Sequence, residues 1–504
     1  MKAKIIISGL IGFVLTGCSK NLDVLPETAL SSNVFFKTEI EFKQAINGAY
    51  VPLRTIYNDR DWLLGEMHSD NTYYFRNILF GATEQQENLA DFSIPTANGI
   101  TTNTHVRDEY RALYQIVARA NEILAQIDPV DFDAVSKANL KGQAQFLRAF
   151  AYFKLVQYFG KVPLHLTPVT NRQEAPAQLG SVEDLYKQIE TDAKAAAQSL
   201  PLKSKQDAGR VTSGAAKTLL GNVYIVQKKW PEAEALLKEV VTSGEYDLMP
   251  DYSNAFSGTN SNKNNKESVF EVQFMEGSAG YNGTLIYNFL PRPMTAAELA
   301  PITGVANPQA LSGEGNNAPT PDIIAAYETG DKRKDASIAY VTLSSSLREN
   351  KVFPYIKKFA FPHATFNNTG NNWPVYRYAE VLLFLAEALN EQNKGGEALP
   401  HLNKVRDRAF GAGVSPVTTT GQAELRDIIM RERRVELAFE NKRWHDLVRT
   451  GKAVEVITAY GSRVKANPQA YYYPNGAVPP NNAFTNITLT YGLPADEAAL
   501  SPYF

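Results

Sequence analysis

Between Glu424 and Gly451 the chain reads ELRDIIMRERRVELAFENKRWHDLVRTG. At 100° per residue, Leu425, Ile428, Ile429, Val435 and Phe439 share one side of a helix. Arg449 and Gly451 supply a basic last turn and a C-terminal stop. Glu432, Glu436 and Glu440 fall in the same apolar stripe, four residues apart. Carboxylates in such a stripe serve either acid/base chemistry or the buried half of an ion-pair network. Arg426, Arg431, Arg433, Arg434, Arg443 and Arg449 in the same stretch favour ion pairs. Glu436 is expected to be at least half buried, with Arg148 or Arg377 as its partner, since both arginines sit among apolar residues.

Helical periodicity also covers 35–53, with Thr38 as N-cap, then 107–127, 137–159 closing at Gly160, and 182–200. Residues 57–99 lose the period and mix polar with aromatic side chains. From Ser213 to Val241, the spacing of Leu220, Gly221, Tyr224, Ala233 and Leu237 follows the tetratricopeptide pattern, with Lys217 where that pattern has Trp. The spacing recurs at Leu385, Ala386, Leu389, Ala398 and Leu402. The fold predicted is mainly α: three or four tetratricopeptide-like helical hairpins with a loop-rich irregular lobe packed against them. That lobe, about 245–375, interrupts the array and is therefore an insertion within a single 35–504 domain. So few hairpins need another part of the chain to cover their concave side. The helix after the lobe, YAEVLLFLAEALN, is apolar nearly all round and is expected to be buried on most sides.

Charge adds little. The net value of −2 gives no reason to expect nucleic acid as a partner. Tyr and Phe number 25 each, more rings than a core requires, which points to an aromatic-rich binding surface. The single cysteine says more. Lys2 and Lys4 precede an apolar run, Ile5 to Leu15, too short to cross a bilayer, and Leu15-Thr16-Gly17-Cys18 follows. This is the lipobox pattern of bacterial lipoproteins. It implies a signal peptide over 1–17, lipid attachment at Cys18 and a tether over 18–34.

Several stretches together resemble one family. RRVELAFENKRWHDLVRTG (433–451), FFKTEIEFKQAINGAYVPL (35–53) and AQFLRAFAYFKLVQYFGKVPL (144–164) match motifs of the RagB/SusD-type nutrient-binding lipoproteins of Bacteroidetes. PTPDIIAAYETGDKRKDASI (319–338), RYAEVLLFLAEALN (377–390) and the tail YGLPADEAALSP (491–502) continue the likeness in the same order. The tail departs from the family's pattern at Leu493 and Ser501. The resemblance implies a lipid-anchored protein on the outer-membrane surface. It would bind oligosaccharide, or in some members peptide, as the lid of a SusC-like TonB-dependent transporter.

Chemistry read from the residues agrees with binding. The six histidines are scattered with no pair at metal-ligand spacing, and no phosphate loop, dinucleotide fingerprint or G-x-S-x-G occurs, so neither metal nor cofactor is expected. A surface glycosidase would have to use the glutamate ladder, but side chains on consecutive helical turns lie side by side, not across a cleft. A tetratricopeptide adaptor that binds protein alone is the other rival. Sugar binding needs ring faces beside planar polar groups. The candidates are Asp70, Asn71, Tyr73, Tyr74 and Arg76, with Asn371, Asn372 and Trp373.

Overall fold

The computed structural model describes residues 35–76, 84–93, 100–171, 176–257, 262–313, 315–346, 348 and 351–503. The expected signal peptide, Cys18 and the expected tether lie outside them. The first helix, Glu39–Thr55, starts on a capping box: Glu41 N donates to the Thr38 hydroxyl while the Glu41 carboxylate accepts from Thr38 N. It runs into two wide turns, Ile56–Arg60 and Leu63–Met67, where the sequence shows no period.

Helices Thr104–Gln126 and Ala134–Phe159 pack together, and Val182–Ser199, Ser213–Val226 and Trp230–Thr242 each pack on the one before. Asn103, Asp133, Ser181 and Thr212 cap the first four of these helices. Gly160, at φ 70°, ends the 134–159 helix. Between the 213–226 and 230–242 helices the small residue has its expected use. A Cβ on Gly221 would come within 2.9 Å of Leu237. Lys217, in the place of the pattern's Trp, pairs instead with Glu239 at 2.8 Å.

The helix Tyr378–Glu391 packs on 230–242, although about 135 residues separate them, and carries Gly395–Phe410 and Gln422–Glu436 in turn. The intervening segment leaves and re-enters the array at one place. Its strand β2 (Ser268–Val272) pairs antiparallel with β6 (Trp373–Arg377), placing Ser268 opposite Arg377. Two further antiparallel pairs join β1 (Thr72–Phe75) to β3 (Gly315–Pro319), and β4 (Ile338–Thr342) to β5 (Val352–Ile356). The 378–391 helix is buried over all of Tyr378–Asn390, the two glutamates included. Architecture and composition agree on a mainly helical fold with small strands.

The continuous helix expected from 424 to 451 does not form. It stops at Glu436, turns through Phe439 and Asn441 at φ 69° and 61°, and restarts as Arg443–Arg449. Buried side chains from far along the chain satisfy the freed backbone groups. The Glu66 carboxylate accepts from Phe439 N and Asn441 N, both at 3.0 Å. The Glu436 carbonyl accepts from Tyr252 Oη at 2.7 Å and Arg377 Nη2 at 3.0 Å, and the Ala438 carbonyl from Lys358 Nζ at 2.8 Å.

Candidate functional site

The break swings the glutamates together onto a buried ion network. Glu436 is fully buried; Oε1 accepts from Arg377 Nη1 at 2.8 Å and Arg408 Nη2 at 2.5 Å, and Oε2 from Arg333 Nη1 at 3.0 Å. Glu432 bridges Arg333 and Arg406, and Glu440 bridges Arg377 and Lys358. Burial pushes the Glu436 carboxyl up, but Arg408, Arg377 and Arg333 pull it well below the usual carboxylate range. With both oxygens held by guanidinium groups, Glu436 is in no position to shuttle a proton. Arg148 is not its partner: it grips Asp192 through two bonds of 2.8 Å. Helical spacing identified an arginine in need of a carboxylate and could not say which one.

The 70–76 segment lies mostly inside the protein, and this corrects its reading as a ligand-contact surface. Asp70, Asn71, Tyr73 and Tyr74 are buried. Asp70 accepts from Arg443 at 2.7 Å and pairs with Arg434 at 2.9 Å, and Asn71 joins Glu66 to Arg434. The Tyr73 hydroxyl meets that of Tyr473 at 2.7 Å. Arg76 alone of this group keeps some exposure, lying over the Tyr473 ring and paired with Glu87. Asn372 and Trp373 are closed off as well. Trp373 stacks on Phe359, and Asn372 holds Phe274 N, Glu271 and Gln273. Asn371 remains partly exposed. A polar-aromatic mix marks a binding surface only when its polar atoms lack internal partners, and here arginines and amides from other segments supply those partners.

A groove of about 690 Å³ opens elsewhere, along the exposed side of the 104–126 helix. Tyr110 and Tyr114 on that helix have ring centroids 4.7 Å apart, and the His165 ring stands edge-on to Tyr114 at 6.2 Å. Residues 163–169 form one wall, fixed by polar side chains of the neighbouring helices, the Tyr152 hydroxyl accepting from His165 N and donating to the His165 carbonyl, both at 2.7 Å. The Tyr114 hydroxyl donates to the Pro163 carbonyl at 2.6 Å, and Asn121 Nδ2 to the His165 carbonyl at 3.0 Å. Arg148 reaches past Asp192 to Asn121 Oδ1 at 2.8 Å and to the Leu166 carbonyl at 3.2 Å. The motif arginine thus positions the wall. The C-terminal turn makes the opposite side, where Arg111 Nε donates to Glu497 at 2.6 Å. Burial lowers the pKa of His165, favouring a neutral ring. Gln115 and Glu122 add planar polar groups at the mouth. Sequence reading missed this groove because its walls come from three segments, none with a motif for sugar chemistry.

Comparison with known proteins decides the family. The model described as "SusD family" matches residues 330–502, and "Starch-binding associating with outer membrane" matches 20–225. The chain belongs to the SusD/RagB family. Among relatives, the SusD-like protein P2 of Formosa agariphila is 28% identical over 490 residues, covering 90% of this chain and 92% of its own. A SusD-like protein of Bacteroides ovatus is 25% identical, with 89% and 82% covered. A structure of a laminarin binding SusD-like protein superposes with a TM-score of 0.72 at 26% identity over 92% of this chain and 98% of that one. A SusD-like carbohydrate binding protein from Bacteroides fragilis does so at 0.75, 24% identical, over 93% and 99%. The same SusD fold therefore spans nearly the whole chain, the helical array and the segment between its halves included.

Proposed function

We propose that this SusD-family protein is a lipid-anchored, cell-surface binder of oligosaccharide that passes its ligand, unaltered, to a SusC-like TonB-dependent transporter. The observation that carries the reading is the family match over both ends of the chain, together with a structural relative described as laminarin binding. The Tyr110–Tyr114 groove suits such a ligand. The half-buried Tyr114 and His165 rings offer faces to the C–H surfaces of sugars, while Tyr110 is itself buried, and Gln115, Glu122 and Arg111 offer hydrogen bonds to hydroxyls. Binding without turnover is supported by the Glu432, Glu436 and Glu440 ladder, whose carboxylates are committed to buried cations. Membrane attachment through Cys18 rests on the lipobox pattern. The domain boundaries proposed are 1–17, 18–34 and 35–504, with the insertion at about 245–375.

A calorimetric screen of the purified protein against plant, host and microbial polysaccharides tests this. At least one glycan should bind, and Tyr114→Ala should weaken it about tenfold, or ~1.4 kcal/mol. Release of reducing ends would overturn the non-catalytic reading. Binding of peptides with no glycan bound would make peptide the cargo.

A further inference from the structure

A second groove, of about 370 Å³, opens where the end of the 39–55 helix meets the 208–210 turn and β2. Its volume lies within the range of about 300–1,000 Å³ usual for small-ligand sites. Arg54 lies over the Tyr281 ring, 4.8 Å from the centroid, and Arg210 over Tyr50 at 5.2 Å. Tyr281 is 47% exposed. Across the groove, Gly209 at φ 83° lets Gln273 approach closely, since a Cβ there would stand 2.7 Å from Gln273 Cγ.

Most arginines named above are held by carboxylates. Arg54 and Arg210 are different: among the described residues, neither has a carboxylate within 4.0 Å. Arg210 donates to the amide oxygen of Asn47 and also interacts with the Tyr50 hydroxyl, both uncharged partners. The one acidic residue lining the groove, Glu271, is turned inward, with Oε1 accepting from Asn264 N at 2.5 Å and Asn372 Nδ2 at 2.6 Å. An adjoining cavity of about 150 Å³ shares Arg210 and Glu271 and adds Lys203 and Asp207, whose charges cancel. The groove thus presents two guanidinium groups against one committed carboxylate. Each guanidinium stands over a ring, which restricts its rotamers before any ligand arrives, and neither is neutralised by a carboxylate among the described residues, so both remain able to attract an oxyanion.

We propose that this groove binds the acidic group of a saccharide, a uronate carboxylate or a sulfate ester, between Arg54 and Arg210, with Tyr281 against the sugar ring. The saccharide part rests on the glycan-binding reading above; the charge preference rests on the groove alone. Calorimetry on the purified protein should use oligogalacturonate, its methyl ester, a sulfated carrageenan oligosaccharide, a panel of neutral glycans and polyglutamate. At least one of the two anionic saccharides should bind, more weakly as NaCl is raised. The Arg54→Gln/Arg210→Gln variant should lose tenfold or more of that affinity while melting at the wild-type temperature and keeping its binding of neutral glycan. Equal binding of the methyl ester and the acid, or unchanged affinity in the variant, would overturn the proposal. Polyglutamate bound as tightly as the sugars would turn the groove into a site for acidic peptide and overturn it too. If neutral glycans bind and neither anion does, this inference falls and the glycan reading stands; if no saccharide binds, both fall.

Discussion

Replacing Glu436 by Gln keeps the shape of the side chain and removes one charge from the centre of the ion network. Around it, Arg333, Lys358, Arg377, Arg406 and Arg408 face five carboxylates with buried side chains, Glu267, Asp331, Glu432, Glu436 and Glu440, and Arg406 also reaches out to the exposed Glu328. Glu436→Gln leaves a surplus cation where water does not reach. Breaking a buried pair in this way costs roughly 3–5 kcal/mol. Unfolding entropy of about 2.1 cal/mol/K per residue gives about 1 kcal/mol/K for a 504-residue chain, so the loss appears as a melting temperature lower by about 3–5 °C. Differential scanning calorimetry at pH 7 measures it. The deficit should narrow in acid. The folded pKa of Glu436 is depressed, so its stabilisation is present above the unfolded value of 4.5 and fades as pH falls below it. Adding Arg408→Met to Glu436→Gln rebalances the charges and should recover part of the loss. A melting temperature unchanged at pH 7, with ligand binding or turnover abolished, would refute the structural account of the ladder.

Glu109 titrates in the opposite sense. Burial, then the charge of Asp61, pushes it up to about 8, and neither of its oxygens has a hydrogen-bond partner among the described residues. The folded protein keeps a proton that the unfolded chain releases near 4.5, so the associated stability is full below that pH and lost as pH rises to about 8. Denaturation midpoints should therefore fall between pH 5 and pH 8.5, and less steeply in Glu109→Gln; equal slopes would show that Glu109 is already ionised at pH 5. Cys18→Ala should release the protein from the membrane fraction with its melting temperature unchanged, and an intact leader or a free thiol found by mass spectrometry in membrane-bound wild type would contradict lipid attachment.

Short-range features were legible in the sequence. Thr38 and Glu41 close a capping box within four residues, Gly160 stops a helix through its own φ, and Gly221 leaves room for Leu237 one helix away. Such signals act through neighbouring backbone, so periodicity and caps place the array and the gap in it. The family motifs drew on the same stretches. Tertiary structure alone decided the rest. The 424–451 helix breaks because Glu66, more than 370 residues earlier, holds Phe439 N and Asn441 N. Arg148 takes Asp192, and Glu436 takes Arg333, Arg377 and Arg408, because the packed helices set which charges meet in a dry interior. Asp70, Asn71 and Tyr73 look like a surface until Arg434, Arg443 and Tyr473 arrive to satisfy them. Both grooves are joints between distant segments, 110–122 with 163–169 and 497–501, and 47–54 with 208–210 and 270–281. An exposed ring beside an unpaired guanidinium is a property of such a joint, because what leaves it unpaired is the absence of a carboxylate on whichever segment folds against it.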